Sequence, residues 1–172
     1  MSKIKNKQIA IVGGGPGGLT LARLLQLNGA DVKVYERDFN REVRVQGATL
    51  DLHHESGLRA IREAGLMNEF MANYRPGADM MRITDMQANI VYDEQPSEKS
   101  EEYFRPEIDR GPLRDILLNS LQAGTVVWDS RFISLSPENE GWKLAFENGK
   151  TAFADLVIAA DGANSKIRPY IT

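Results

Sequence analysis

Residues 8–36, QIAIVGGGPGGLTLARLLQLNGADVKVYE, decide the fold. Gln8–Val12 is a short, largely β-branched run closed by glycines, which predicts a strand buried on both faces. From Gly17 to Asn28 the apolar positions Leu21, Leu24 and Leu25 follow helical spacing, and Gly29 supplies a C-terminal stop. Asp31–Tyr35 (DVKVY) is extended again, so the stretch is a β-α-β unit.

Outward from this unit, residues 55–73 carry an apolar stripe of Leu58, Ile61, Leu66 and Phe70 that breaks at Gly65, predicting two short helices. Residues 80–93 read as two extended segments around a polar turn, and 95–102 (QPSEKSEE) as a hydrophilic loop. Pro112–Leu121 predicts an amphipathic helix. Short strands at 126–128, 132–135, 142–146 and 151–153, separated by turn-rich pieces, predict an antiparallel meander, and Leu156–Ala160 (LVIAA) returns to the buried-strand pattern. With no internal repeat, the pattern is one α/β layered domain spanning residues 1–172.

Composition excludes several function classes. Of the 172 residues, 42% are hydrophobic and 26% charged, which suits one globular core, and the net charge of −3 offers no basic surface for nucleic acid. Without cysteine there is no disulfide, thiolate metal site or thiol catalysis, so a cytoplasmic location is expected. The apolar run Ile9–Val12 is too short for a membrane span or a signal-peptide core. His53 and His54 make a poor metal site, because neighbours in a strand point to opposite faces and no third histidine exists. The acidic run from Asp93 to Glu102 reads as solvated, and Trp128 and Trp142 as core or meander residues.

Gly13, Gly15 and Gly18 form G-x-G-x-x-G between strand and helix, with Pro16 and Gly17 inside the turn. Gly13 permits the tight turn, Gly15 lets a pyrophosphate approach the backbone, and Gly18 lets the helix pack closely. The helix N-terminus then offers free N–H groups to the anion. Glu36 closes the second strand, where its carboxylate can accept hydrogen bonds from both adenosine ribose hydroxyls and repel a 2′-phosphate. The fingerprint therefore points to FAD or NAD rather than NADP at this site, and leaves those two open.

A second motif follows a buried strand: Asp161-Gly162-Ala163-Asn164-Ser165-Lys166-Ile167-Arg168. By itself it also reads as an Asp-Gly turn with Ser165 capping a helix. Together with IAIVGGGPGGLTLARLLQLNGADVKVYERD, about 125 residues upstream, it resembles the paired signatures of FAD-dependent aromatic-ring monooxygenases. VYERD, REVRVQGATLDLH (Arg41 to His53), PEIDRGPLRDILLNSL (Pro106 to Leu121) and TVVWDS (Thr125 to Ser130) are similar, in order, to segments of the tetracycline-inactivating flavin monooxygenases. That subgroup has Asn-Gly where this chain has Asp161-Gly162.

The resemblance implies a Rossmann-like, glutathione-reductase-like FAD-binding domain with an added β-meander. It implies FAD as cofactor, held by Gly13, Gly15, Pro16, Gly17, Gly18, Glu36, Arg37 near the adenosine, Asp51 near the flavin, Arg110 along the phosphate or ribitol, Asp161 and Gly162. Arg44 is implied as the contact for NADPH, the external reductant. Against these roles stand plainer readings, a solvated Arg44 and an Arg110 salt-bridged to Asp109 or Asp115. Family members run to roughly twice this length, so the chain is expected to be the N-terminal half of a longer enzyme, with the substrate domain largely absent. The implied activity is oxygen transfer to an aromatic or polyketide-like small molecule, tetracycline among them. The competing expectations are a noncatalytic interaction module and another FAD-dependent oxidoreductase.

Overall fold

The computed structural model describes residues 4, 6–43, 48–78, 80–94 and 104–171. In chain order the elements are β1 (Gln8–Val12), α1 (Pro16–Leu27), β2 (Asp31–Tyr35), β3 (Thr49–Asp51), α2 (Gly57–Glu63), α3 (Met67–Met71), β4 (Arg82–Thr84), β5 (Ile90–Asp93), β6 (Glu107–Asp109), α4 (Arg110–Ser120), β7 (Val126–Val127), β8 (Phe132–Glu138), β9 (Gly141–Phe146), β10 (Thr151–Ala154) and β11 (Leu156–Ala159). They fall into two compact units, residues 1–45 with 114–172, and residues 46–113.

The first unit is built on a parallel sheet of order β11-β1-β2-β7. Central β1 aligns Ile9 with Leu156 and Val32, and Val12 with Ala159 and Tyr35. Ile9, Ala10, Ile11 and Val12 are all buried, as a strand covered on both faces requires. Fully burying one such aliphatic side chain contributes about 1.5–3 kcal/mol. Helix α1 packs along β1 and β2 and buries Leu19 and Ala22. It ends at Gly29, whose φ of +77° lets its N–H reach Gln26 and the next N–H reach Leu25.

The antiparallel sheet β10-β9-β8 shares a core with the parallel sheet. Ala10, Val12 and Tyr35 meet Phe132, Leu144 and Phe146 there, with Tyr35 and Phe146 stacked 4.7 Å apart.

The strand at Val126 does not belong to the meander. It runs parallel to β2, with Val34 opposite Val126, and a positive φ of 55° at Asp129 ends it before β8 begins. The buried reading of Leu156–Ala160 also needs correction. Among the described residues β11 pairs with β1 alone, so it is an edge strand, and Leu156 is 44% exposed. Helix α4 starts two residues earlier than predicted, putting Pro112 in the first turn, where its missing N–H is harmless.

In the second unit β3 pairs with β6, Leu50 opposite Ile108, and the helices bury Leu58, Ile61, Leu66 and Phe70. Gly65, with φ +73°, makes the break between α2 and α3. β4 and β5 form the hairpin expected around the polar turn. The 95–102 loop lies outside the described residues. No helix among the described residues is long and apolar enough to cross a membrane, and no group of three or more of their His, Cys, Asp or Glu side chains is placed to hold a metal.

Candidate nucleotide site

The carboxyl ends of β1, β2 and β11 border a cleft of about 430 Å³ in the first unit. In open parallel sheets this edge is where ligands bind. The glycines of the first turn divide into two kinds. Gly13 has φ +111°, and a Cβ there would collide with the Ala160 carbonyl oxygen. A Cβ on Gly18 would collide with the Gly13 carbonyl oxygen, and one on Gly14 would lie 2.9 Å from Glu36 Oε2. These three are required by the packing of the turn itself.

Gly15 and Gly17 are different. A Cβ on either meets nothing within 4 Å, and Gly15, at φ −78° and ψ 175°, has backbone angles open to any residue. Among the described residues no steric contact requires a glycine at 15. An atom brought close to its backbone from the cleft does, and Gly15 lines that cleft. Gly15 caps α1 without a side-chain bond, and the first turn holds no acid, so the positive end of the helix is left to attract an anion.

Two carboxylates enter the same cleft. Glu36 is 4% exposed and tightly held: Oε2 accepts the Gly14 N–H at 2.6 Å, and Oε1 accepts the Asp38 N–H at 3.0 Å. Its backbone N–H donates to Val127 and its carbonyl accepts from Ser130. Asp161 follows β11, where Oδ2 accepts the Lys166 N–H at 2.7 Å and Oδ1 is buried without a hydrogen-bond partner. A buried carboxylate oxygen left unmatched suits a ligand hydroxyl donor. Ser165 does cap the turn at Arg168, at 3.1 Å, and Gly162 takes φ +86°. The capping role and the cleft-facing carboxylate therefore coexist in one motif. Room above Gly15, a helix N-terminus without acids and an orphaned carboxylate oxygen together fit a dinucleotide such as FAD.

The structure thus brings Gly13, Gly15, Glu36, Arg37, Asp161 and Gly162 to one cleft, with Pro16 and Gly17 opening the adjoining helix. Arg37 is exposed. Asp51, in β3, and Arg110, at the start of α4, belong to the second unit. Asp51 meets His53 Nε2 at 3.1 Å. Neither carboxylate considered for Arg110 is paired with it: Asp109 pairs with Arg75 and Asp115 with Arg41, at 2.9 and 2.8 Å. Arg44 lies outside the described residues.

Sequence reasoning missed Tyr35, Ser130, Arg131 and Phe132 as lining residues. The signal was TVVWDS: once β7 is in the parallel sheet, the residues after it must reach the same edge. Burial, with a smaller contribution from the Asp31 charge, pushes the Tyr35 phenol above its ordinary pKa, so it stays neutral at physiological pH.

The fold and this cleft define a dinucleotide-binding α/β protein. The chain belongs to the FAD binding domain family, whose sequence pattern matches residues 6–172. It is 35% identical over 181 residues to the monooxygenase asqM of Emericella nidulans, covering 95% of this chain and 40% of that protein. It is 34% identical over 164 residues to the 3-amino-4-hydroxybenzoate 2-monooxygenase of Streptomyces cremeus, covering 94% and 41%. Among solved structures it resembles the tetracycline destructase Tet(55), with a TM-score of 0.78, 26% identity, and coverage of 100% of this chain and 42% of that one. The chain spans about two fifths of the length of the curated relatives it matches.

Proposed function

We propose that this chain is the FAD-binding part of an NADPH-dependent flavin monooxygenase that acts in the cytoplasm on an aromatic or polyketide-like small molecule. Its fold is read as glutathione-reductase-like. The observation that carries the reading is the pairing of unexplained space at Gly15 with two carboxylates, Glu36 and Asp161, in one cleft. The names of the relatives support oxygen transfer, and the likeness to a tetracycline destructase makes tetracycline a substrate to try.

In this reading Glu36 accepts the adenosine ribose hydroxyls and Arg37 lies near the same end. The turn of Gly13, Gly15, Pro16, Gly17 and Gly18 takes the pyrophosphate through backbone N–H groups. Asp161, beside Gly162, accepts a hydroxyl with its unmatched oxygen. Arg110 along the phosphate or ribitol, Asp51 near the flavin and Arg44 toward NADPH complete the assignment. When bound, the flavin supplies hydride acceptance and oxygen transfer, while the protein orients it and excludes water.

The test is to titrate the chain with FAD, following flavin absorbance and fluorescence, then to add NADPH with tetracycline or an aminohydroxybenzoate under air. Saturable FAD binding is expected, and NADPH oxidation with O₂ uptake and a product carrying one added oxygen atom would in addition exclude a noncatalytic module. A folded chain that ignores FAD would overturn the cofactor assignment. A product without added oxygen would favour another flavin oxidoreductase.

A further inference from the structure

In the same unit as the cleft, a cationic side chain is buried in α4. Arg114 is 5% exposed on the helix face that also buries Leu113 and Leu117, where a polar residue is unexpected. Its Nη1 donates to the Arg41 carbonyl at 2.7 Å, and its guanidinium sits 5.3 Å from the centre of the Trp128 ring. Its Nη2 lies 3.5 Å from Asp38 Oδ2, a buried ion pair in which neither atom makes a hydrogen bond. The Asp38 side chain is 10% exposed, so the pair is almost wholly out of water.

Every partner of Arg114 belongs to the two segments that frame Glu36. Asp38 donates its N–H to Glu36 Oε1, and its carbonyl accepts from Asp129 at 2.8 Å. Ser130, next to Asp129, donates to the Glu36 carbonyl. Arg41 is fastened from the other side by its side chain, which reaches Asp115 and Asn119 on the same helix. One guanidinium thus meets both segments, by a hydrogen bond and an ion pair on one side and a ring contact on the other.

We propose that Arg114 is a positioning residue for nucleotide recognition: through its ion pair with Asp38 it steadies the N–H that holds one Glu36 oxygen, and so keeps that carboxylate oriented toward the adenosine ribose. The claim rests on the FAD reading above. It acts through Asp38 and Glu36, without contact to the nucleotide.

The experiment compares binding of FAD and of its 2′-deoxyadenosine analogue to the full chain, the Arg114→Met variant and the Asp38→Asn variant. A charge-assisted hydrogen bond to one ribose hydroxyl gives the unaltered chain about a tenfold preference for FAD. Either substitution is expected to bring that preference to within about twofold of unity and to weaken FAD itself about tenfold. The double variant should lose no more than Arg114→Met, because both act on one path. A merely structural arginine would lower the melting temperature and leave the preference intact, and that result in a folded variant overturns the proposal. If Arg114→Met does not fold, Asp38→Asn, close in shape, carries the same comparison.

The Gly14 and Asp38 amide resonances give a readout that needs no FAD. Both N–H groups bond to Glu36, so both should move upfield in either variant while the second turn of α1 stays in place. Unmoved resonances overturn the proposal even if the unaltered chain binds no FAD, an outcome that would defeat only the functional reading.

Discussion

The two strand ends that meet at the cleft are finished differently. After β2, Glu36 has both carboxylate oxygens on backbone N–H groups and both backbone groups in the framework of β7 and its following turn. After β11, Asp161 has one oxygen on the Lys166 N–H and the other buried without a partner. The first carboxylate is part of the scaffold as well as the site. The second is held by the scaffold but incompletely satisfied by it, which is the condition of a group shaped for something else. The glycines divide the same way, Gly13 and Gly18 serving the turn and Gly15 leaving room beside it.

The largest effect should come from confusing the two kinds of glycine. Gly18→Ala drives a Cβ into the Gly13 carbonyl oxygen and is expected to cost about 3 kcal/mol by overpacking at a backbone that cannot yield. Gly15→Ala meets open space and should change urea stability by less than about 0.5 kcal/mol, while FAD affinity falls at least tenfold. Urea titration and FAD titration of both variants separate the outcomes. Equal loss of stability at 15 and 18 would erase the distinction between scaffold and site.

Next in size are the carboxylates. Glu36→Gln places an amide NH₂ against the N–H of Gly14 or Asp38, leaving donors unmatched in a buried position, at a cost of about 2 kcal/mol. Asp161→Asn can keep its oxygen on the Lys166 N–H and turn its NH₂ toward the position that now has no partner, so stability should change by less than about 1 kcal/mol. Both should weaken FAD. If Asp161→Asn destabilises the free protein as much as Glu36→Gln, Asp161 is a structural residue and the comparison fails.

The legible parts of the sequence were those in which local chemistry leaves few options. A tight turn between a β-branched run and a helix demands glycines where Gly13 and Gly18 stand, and the Gly29 stop and the Gly65 break follow from positive φ. What escaped depends on partners distant in sequence. β7 is two residues long, so only its pairing with β2 shows that it belongs to the parallel sheet. Arg114 sits in a leucine-rich helix and gives no local sign of being buried. The single unmatched oxygen of Asp161 is a property of packing that no spacing encodes.

The opposite end of the same sheet completes the contrast, because both oxygens of its carboxylate are engaged by the adjoining strand end. Asp155 Oδ2 accepts the Gln8 N–H at 2.7 Å and Oδ1 meets Lys7 Nζ at 3.1 Å, at the start of the β1–β11 pairing. These bonds, the Gln8 N–H foremost, hold the Asp155 carboxyl below its ordinary pKa. A folded-state pKa lower than the unfolded one gives stability that is present above the unfolded value, about 3.9, and lost as pH falls through the folded value. Asp155→Asn removes the titration and keeps an acceptor, so the variant should be slightly less stable at pH 7 and lose less of its melting temperature on acidification to pH 3. The site is solvent-exposed, and added salt should shrink the effect further. Parallel pH profiles for the two proteins would mean that Asp155 does not couple the strand ends to protonation, and the acid response of the sheet would have to come from carboxylates elsewhere.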